Sequence, residues 1–71
     1  MKISFDPKYD VLYLKFSDDR IADTIEVDGG VLIDYGDRGQ MIWIEIINAS
    51  TLINANPLEE IVIKIQEKAE A

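Results

Sequence analysis

The side chains of this 71-residue chain best suited to chemistry are carboxylates. Asp18, Asp19 and Asp23 gather near one turn signal, and Asp34 and Asp37 near another. Paired carboxylates do acid–base work or hold a hard cation. The run from Asp34 to Glu45 even imitates a calcium loop, with Asp34, Gly39 and Glu45 at its first, sixth and twelfth positions. The likeness then fails on chemistry. Gly36 brings no side-chain oxygen to the third position, and Arg38 places a cation at the fifth. Strand-forming residues fill the second half, where a calcium loop turns into a helix. A hairpin is the better reading of these residues, and neither a metal nor another cofactor is expected.

Histidine and cysteine are absent. That removes imidazole base catalysis, Ser-His-Asp and Cys-His arrangements and the usual zinc ligand sets. No glycine-rich loop leads into a helix to cradle a phosphate. Lys15 and Lys64 stand at no informative spacing from a serine and read as solvated surface lysines. No catalytic constellation is recognisable, and a non-enzymatic protein is expected. Tyr13 and Trp43 would suit base stacking, but a single-strand binder surrounds its aromatics with Lys and Arg. Here 14 acidic residues outweigh 7 basic ones, for a net charge of −7. Such a chain repels nucleic acid and anionic lipid and attracts a basic protein. Solubility alone would account for the same charge.

Around these residues the sequence places strands. The stretch from Asp37 to Ser50 runs through the longest apolar segment of the chain. Ile42, Ile44 and Ile46 alternate with Met41, Trp43, Glu45 and Ile47, so both faces of this strand are largely apolar and both ask for cover. It is expected at the centre of a sheet. Lys2 to Asp6, Val11 to Phe16, Ile21 to Val27 and Val31 to Tyr35 read as further strands. Asp23 interrupts the third and suggests an edge. Asp6-Pro7 opens one turn, Asp28-Gly29-Gly30 signals a hairpin, and Gly36-Asp37-Arg38-Gly39 closes another. Turns recur about every ten residues, as in a β-meander. Asn48 or Ser50 would cap a short helical turn. Leu58 to Lys68 carries both helical and strand spacing, and its Ile61, Ile63 and Ile65 favour a last strand.

The fold class predicted is mainly β (α+β): a small antiparallel β-meander of five to six strands with one short helical turn near residues 50–55. Residues 1–71 form a single domain, with 67–71 a frayed tail. A chain this short buries a small fraction of its surface. With a second apolar face to cover, it is expected to be a homo-oligomer, associating through Met41, Trp43, Ile47 and Tyr13. Asp18, Asp19, Asp28 and Asp37 lie at strand connections and form the acidic surface offered to a basic partner. No apolar run reaches the ~20 residues of a membrane span. The first residues are already strand-like, so a cytoplasmic location is expected.

Three segments resemble a known family. Ile3-Ser4-Phe5-Asp6-Pro7-Lys8-Tyr9-Asp10-Val11-Leu12-Tyr13-Leu14 is similar to the opening of the small prokaryotic proteins catalogued as domain of unknown function 2283, which has the form Tyr-Asp-Pro-x-x-Asp-x-Leu-Tyr-Ile. Phe5 stands here for the usual tyrosine. Gly30-Val31-Leu32-Ile33-Asp34-Tyr35 resembles their Gly-Val-Ile-Val-Asp-Tyr. Ile42 to Ser50 resembles their Val-Gly-Ile-Glu-Ile-Leu-Asn-Ala-Ser, with Trp43 where a glycine is common. The resemblance runs from Met1 to about Ile53. It implies no activity, cofactor or catalytic residue. It does suggest an antitoxin-like partner of a small basic toxin, a role in keeping with the charge.

The function expected is a non-enzymatic protein-interaction module, antitoxin-like or scaffolding, for a small basic protein. The alternatives are a carboxylate-based enzyme or small-ligand binder using the Trp43 face, and a purely structural homo-oligomer.

Overall fold

The computed structural model describes residues 1–68. Five strands, β1 (Lys2–Asp6), β2 (Val11–Lys15), β3 (Asp23–Val27), β4 (Val31–Tyr35) and β5 (Met41–Ile47), precede one short helix, α1 (Ala49–Leu52). All neighbours pair antiparallel in a single sheet. This is the mainly β architecture that the alternation predicts. The sheet order is β1-β2-β5-β4-β3. The meander therefore runs in two pieces, a β1–β2 hairpin and a β3–β4–β5 run. The stretch from 16 to 22 carries the chain between them, so β5 closes the sheet by pairing with β2. The longest apolar stretch is thus the middle strand, and the interrupted third strand, shortened to start at Asp23, is an edge.

Local chemistry sets the turns. The Asp6 carboxylate accepts the backbone N–H of Lys8 at 2.9 Å, which folds the chain back after β1. Asp28, Gly29 and Gly30 all have positive φ, at 45°, 64° and 135°. Gly30 is required twice over. Its φ suits only glycine, and its carbonyl accepts Ile47 N–H at 2.7 Å, so a Cβ there would press within 3.4 Å of the Ile47 carbonyl oxygen. Asp34 to Glu45 forms the predicted hairpin, with Gly36 N–H bonded to the Gln40 carbonyl at 2.8 Å.

Two expectations at the C-terminal end are corrected. Asn48 precedes α1 in the left-handed region and makes no side-chain cap, and Ser50 lies inside the helix rather than capping it. Asp10 supplies the cap instead, from 40 residues away: its carboxylate accepts Ser50 N–H at 3.0 Å and Ser50 Oγ–H at 2.7 Å. Its position in the β1–β2 turn brings it there, which helix-cap spacing cannot show. The segment Leu58 to Lys68 forms neither strand nor helix. Strand formers need a ladder partner to satisfy their backbone groups, and this segment pairs with neither edge of the sheet. Leu58 and Ile61 instead line a shallow depression with Phe5. Of the expected frayed tail, Glu67 and Lys68 are exposed without regular structure, and residues 69–71 lie outside the described residues.

The core is thin. Among the described residues, Leu12, Ile42 and Ala49 are the buried apolar side chains, at 7%, 0% and 0% exposure. One sheet layer and a one-turn helix leave most of the remaining apolar surface half-covered.

Candidate functional site

The register sorts the side chains into rows that cross the whole sheet. On one face, Ile3 pairs with Leu14, Leu14 with Ile44, Ile44 with Ile33 and Ile33 with Ile25. The next row on that face runs Phe5, Leu12, Ile46, Val31, Val27. Both rows are apolar from edge to edge. Ile44 and Ile46 sit on the central strand and are still only half-buried, while Ile25 and Val27 on the edge are 47% and 43% exposed. Leu12 and Ile42 on this face are buried, but the centre at Ile44 and Ile46 and the β3 edge are not, so this face is only partly covered.

The opposite face is mixed. Its rows run Lys2, Lys15, Trp43, Asp34, Thr24 and Ser4, Tyr13, Glu45, Leu32, Glu26. Here lie the residues expected to mediate self-association. Tyr13 and Trp43 meet edge to face, with ring centroids 6.0 Å apart and planes at 78°. Lys15 Nζ stands 5.3 Å from the Trp43 ring centre and also pairs with Asp18 at 2.6 Å. Met41 and Ile47 sit at opposite ends of β5, each 40% exposed. Glu45 falls between Trp43 and Ile47 on the same face. The apolar continuity of Met41, Trp43 and Ile47 is therefore broken by Glu45 on β5 itself and by Lys15 and Asp34 on its neighbours.

This face also holds a carboxylate pair that spacing along the chain did not single out as a pair. Asp34 is 5% exposed and accepts the Thr24 hydroxyl at 2.5 Å. Glu45 lies diagonally across from it on β5. Burial is the main cause that raises the Glu45 carboxyl above its usual value; the negative charge of Asp34 and a hydrogen bond with it add to the rise. The signal for the pair was the hairpin itself: folding Asp34 and Glu45 onto adjacent strands puts both on one face. Among the described residues no three acidic, His or Cys side chains converge as a metal site.

The acidic turns do not form one surface. Asp18, Asp19 and Asp37 lie in the connections at the end where β2 stops and β5 starts, whereas Asp28 lies at the other end, in the β3–β4 turn. The first end also carries cations. Lys15 holds the Asp18 carboxyl below its usual range by a hydrogen bond first and by its charge second. Arg38 Nη2 reaches Asp19 at 3.7 Å, and Gln40 donates to the same Asp19 oxygen at 3.3 Å. An open, polar cleft between Asp19, Ile21 and Arg38 separates these connections.

Fold and faces together define a small single-layered antiparallel sheet protein with one apolar and one mixed face. Residues 2–50 match the family model described as protein of unknown function (DUF2283), and the chain belongs to that family. No curated protein and no solved structure matches the chain.

Proposed function

We propose that this domain is a non-enzymatic protein-interaction module that works by presenting its sheet to another polypeptide. The observation that supports this best is the partly covered apolar face. Antiparallel sheets usually pack one face on a core and leave the other to water. Here the mixed face is the one made for water, and its apolar counterpart buries Leu12 and Ile42 but leaves Ile44, Ile46, Ile25 and Val27 half-covered or exposed. A continuous apolar surface left this exposed is characteristic of protein association. The net charge of −7 favours a small basic protein within the assembly, held in an antitoxin-like or scaffolding role. The acidic connections supply steering charge for such a partner without disturbing the sheet.

The test is quantitative capture from the native cytoplasm, comparing wild type with Ile25→Lys. Ile25 is an exposed edge residue, so the variant keeps the fold while placing a charge on the apolar face. Stoichiometric recovery of a polypeptide by wild type, lost with Ile25→Lys, is expected. If no polypeptide, including untagged copies of the protein itself, is held in an Ile25-dependent way, the proposal fails.

A further inference from the structure

We infer that the apolar face is covered in solution by the same face of a second copy of this chain, two five-stranded sheets stacked as a sandwich. The inference rests on the reading of this face as a protein-binding surface and names its occupant.

Surface area is the first argument. The chain exposes 5874 Å², against about 4,500 Å² for a compact monomer of 8.1 kDa, an excess of roughly 1,400 Å². Its radius of gyration is 14.1 Å, where a compact chain of this length has about 11 Å. A stable dimer needs only about 800 Å² buried on each partner. The excess is shared between the apolar face and the segment after Pro57, which is exposed from Glu59 to Lys68, and it is larger than that requirement.

Width is the second. Strands lie about 4.8 Å apart, so the five-strand face is about 19 Å across before its side chains are counted. The apolar stretch Ile61 to Ile65 is a single backbone segment without regular structure, and its own Ile61, Val62, Ile63 and Ile65 are 44%, 77%, 53% and 89% exposed. It cannot close the face from within the chain. A second sheet has the matching width and stacks at about 10 Å, the thickness that two layers of aliphatic side chains fill.

Chemistry is the third. The row Ile3, Leu14, Ile44, Ile33, Ile25 contains no charge, and neither does its neighbour. A basic partner would find no carboxylate to pair with there. The same face of another copy meets aliphatic side chains with aliphatic side chains under a two-fold axis, where each patch is its own complement. The acidic connections lie at the sheet ends, away from the contact, so stacking leaves them free.

Sedimentation velocity and light scattering on the full chain, from low to high micromolar concentration, test the inference. The expected mass is twice 8.1 kDa. Ile25→Lys should weaken the dimer at least about 100-fold, the scale of leaving a charge unpaired in an apolar contact. Glu26→Lys, on the other face of the same strand, should leave it intact. Photochemical footprinting of undiluted and diluted wild type needs no variant: labelling of Ile25 and Val27 should rise on dissociation, with Glu26 and Trp43 unchanged. A monomer at high micromolar concentration overturns the inference. So does a dimer that tolerates Ile25→Lys, or whose dilution uncovers Trp43 instead of Ile25. If Ile63→Lys exposes the face in a monomer, the chain's own segment covers it and the inference also fails. A monomer that still captures another polypeptide through Ile25 overturns the second copy alone and leaves the proposed function standing.

Discussion

Asp10 and Ser50 lie 40 residues apart and share two hydrogen bonds, Ser50 N–H and Oγ–H each donating to one oxygen of the Asp10 carboxylate at 3.0 and 2.7 Å. The Asp10 carbonyl accepts Ala49 N–H at 2.9 Å as well. One residue of the β1–β2 turn thus pins the start of α1, and with it the end of β5. Asp10→Ala should cost about 2–3 kcal/mol, because it removes two bonds to a charged group and leaves Ser50 N–H and its hydroxyl without that partner, while the backbone bond from Ala49 N–H remains. For a domain this small, each kcal/mol lowers Tm by about 4–8 °C. Ser50→Ala should cost less, and the double variant should cost less than the two added together. Urea unfolding at one fixed protein concentration measures all three, and simple additivity would show that the two residues act separately.

Glu45 makes stability depend on pH. Its carboxyl is raised in the folded protein above the ordinary 4.5, so the folded state holds the proton more tightly than the unfolded one. The associated stability is fully present below the unfolded value and is lost as pH rises through the folded one. Glu45→Gln should therefore stabilise the protein at neutral pH and flatten the decline from pH 4.5 upward. Asp18 works in the opposite sense. Lys15 lowers it below 3.8, so its contribution is present above that value and is lost only as pH falls further. Chemical denaturation from pH 4.5 to neutral isolates Glu45. A variant as pH-dependent as wild type across that window would refute the assignment.

Trp43 is half-buried in the structure and leans on Tyr13, with Lys15 above its ring. Trp43→Ala should cost about 2 kcal/mol, less than the 3–5 kcal/mol of a fully buried aromatic. A Tyr13→Ala/Trp43→Ala cycle should return a coupling of about 0.5–1.5 kcal/mol, the worth of an edge-to-face pair. A coupling near zero would mean that the two rings are merely adjacent.

Asp18 and Asp19 are exposed, and their ion pairs with Lys15 and Arg38 contribute little to folding. Replacing both with asparagine should leave the urea midpoint almost unchanged. It should slow the association of a basic partner and flatten its salt dependence, since exposed charges act mainly on encounter and are screened beyond ~8 Å at physiological salt. Stopped-flow mixing at low and high salt reads this directly. Equal rates for wild type and variant at every salt concentration would assign the acidic balance to solubility.

Much of the fold was legible in the chain because strands and turns are local. Alternation at Lys2–Asp6 and Val31–Tyr35 marked two strands residue for residue, and the apolar run ending at Ile47 marked the central one. The Asp6 and Asp28-Gly29-Gly30 signals marked the turns, since each acts through its own backbone. Tertiary structure decided which strands became neighbours. Read along β5 alone, Met41, Trp43 and Ile47 looked like an apolar face interrupted at Glu45. Pairing with β2 and β4 set Lys15 and Asp34 beside Trp43, and Tyr13 and Leu32 beside Glu45, and so made that face mixed. The same pairings lined up Ile3, Leu14, Ile44, Ile33 and Ile25, which no single segment shows as a row. Strand propensity at Ile61 to Ile65 came to nothing within the chain because a strand forms only where a partner completes its hydrogen bonds. Asp10 caps α1 for the same reason that the rows exist: alternation is written in neighbouring residues, whereas contact between distant ones is set by register, and register appears only when the sheet closes.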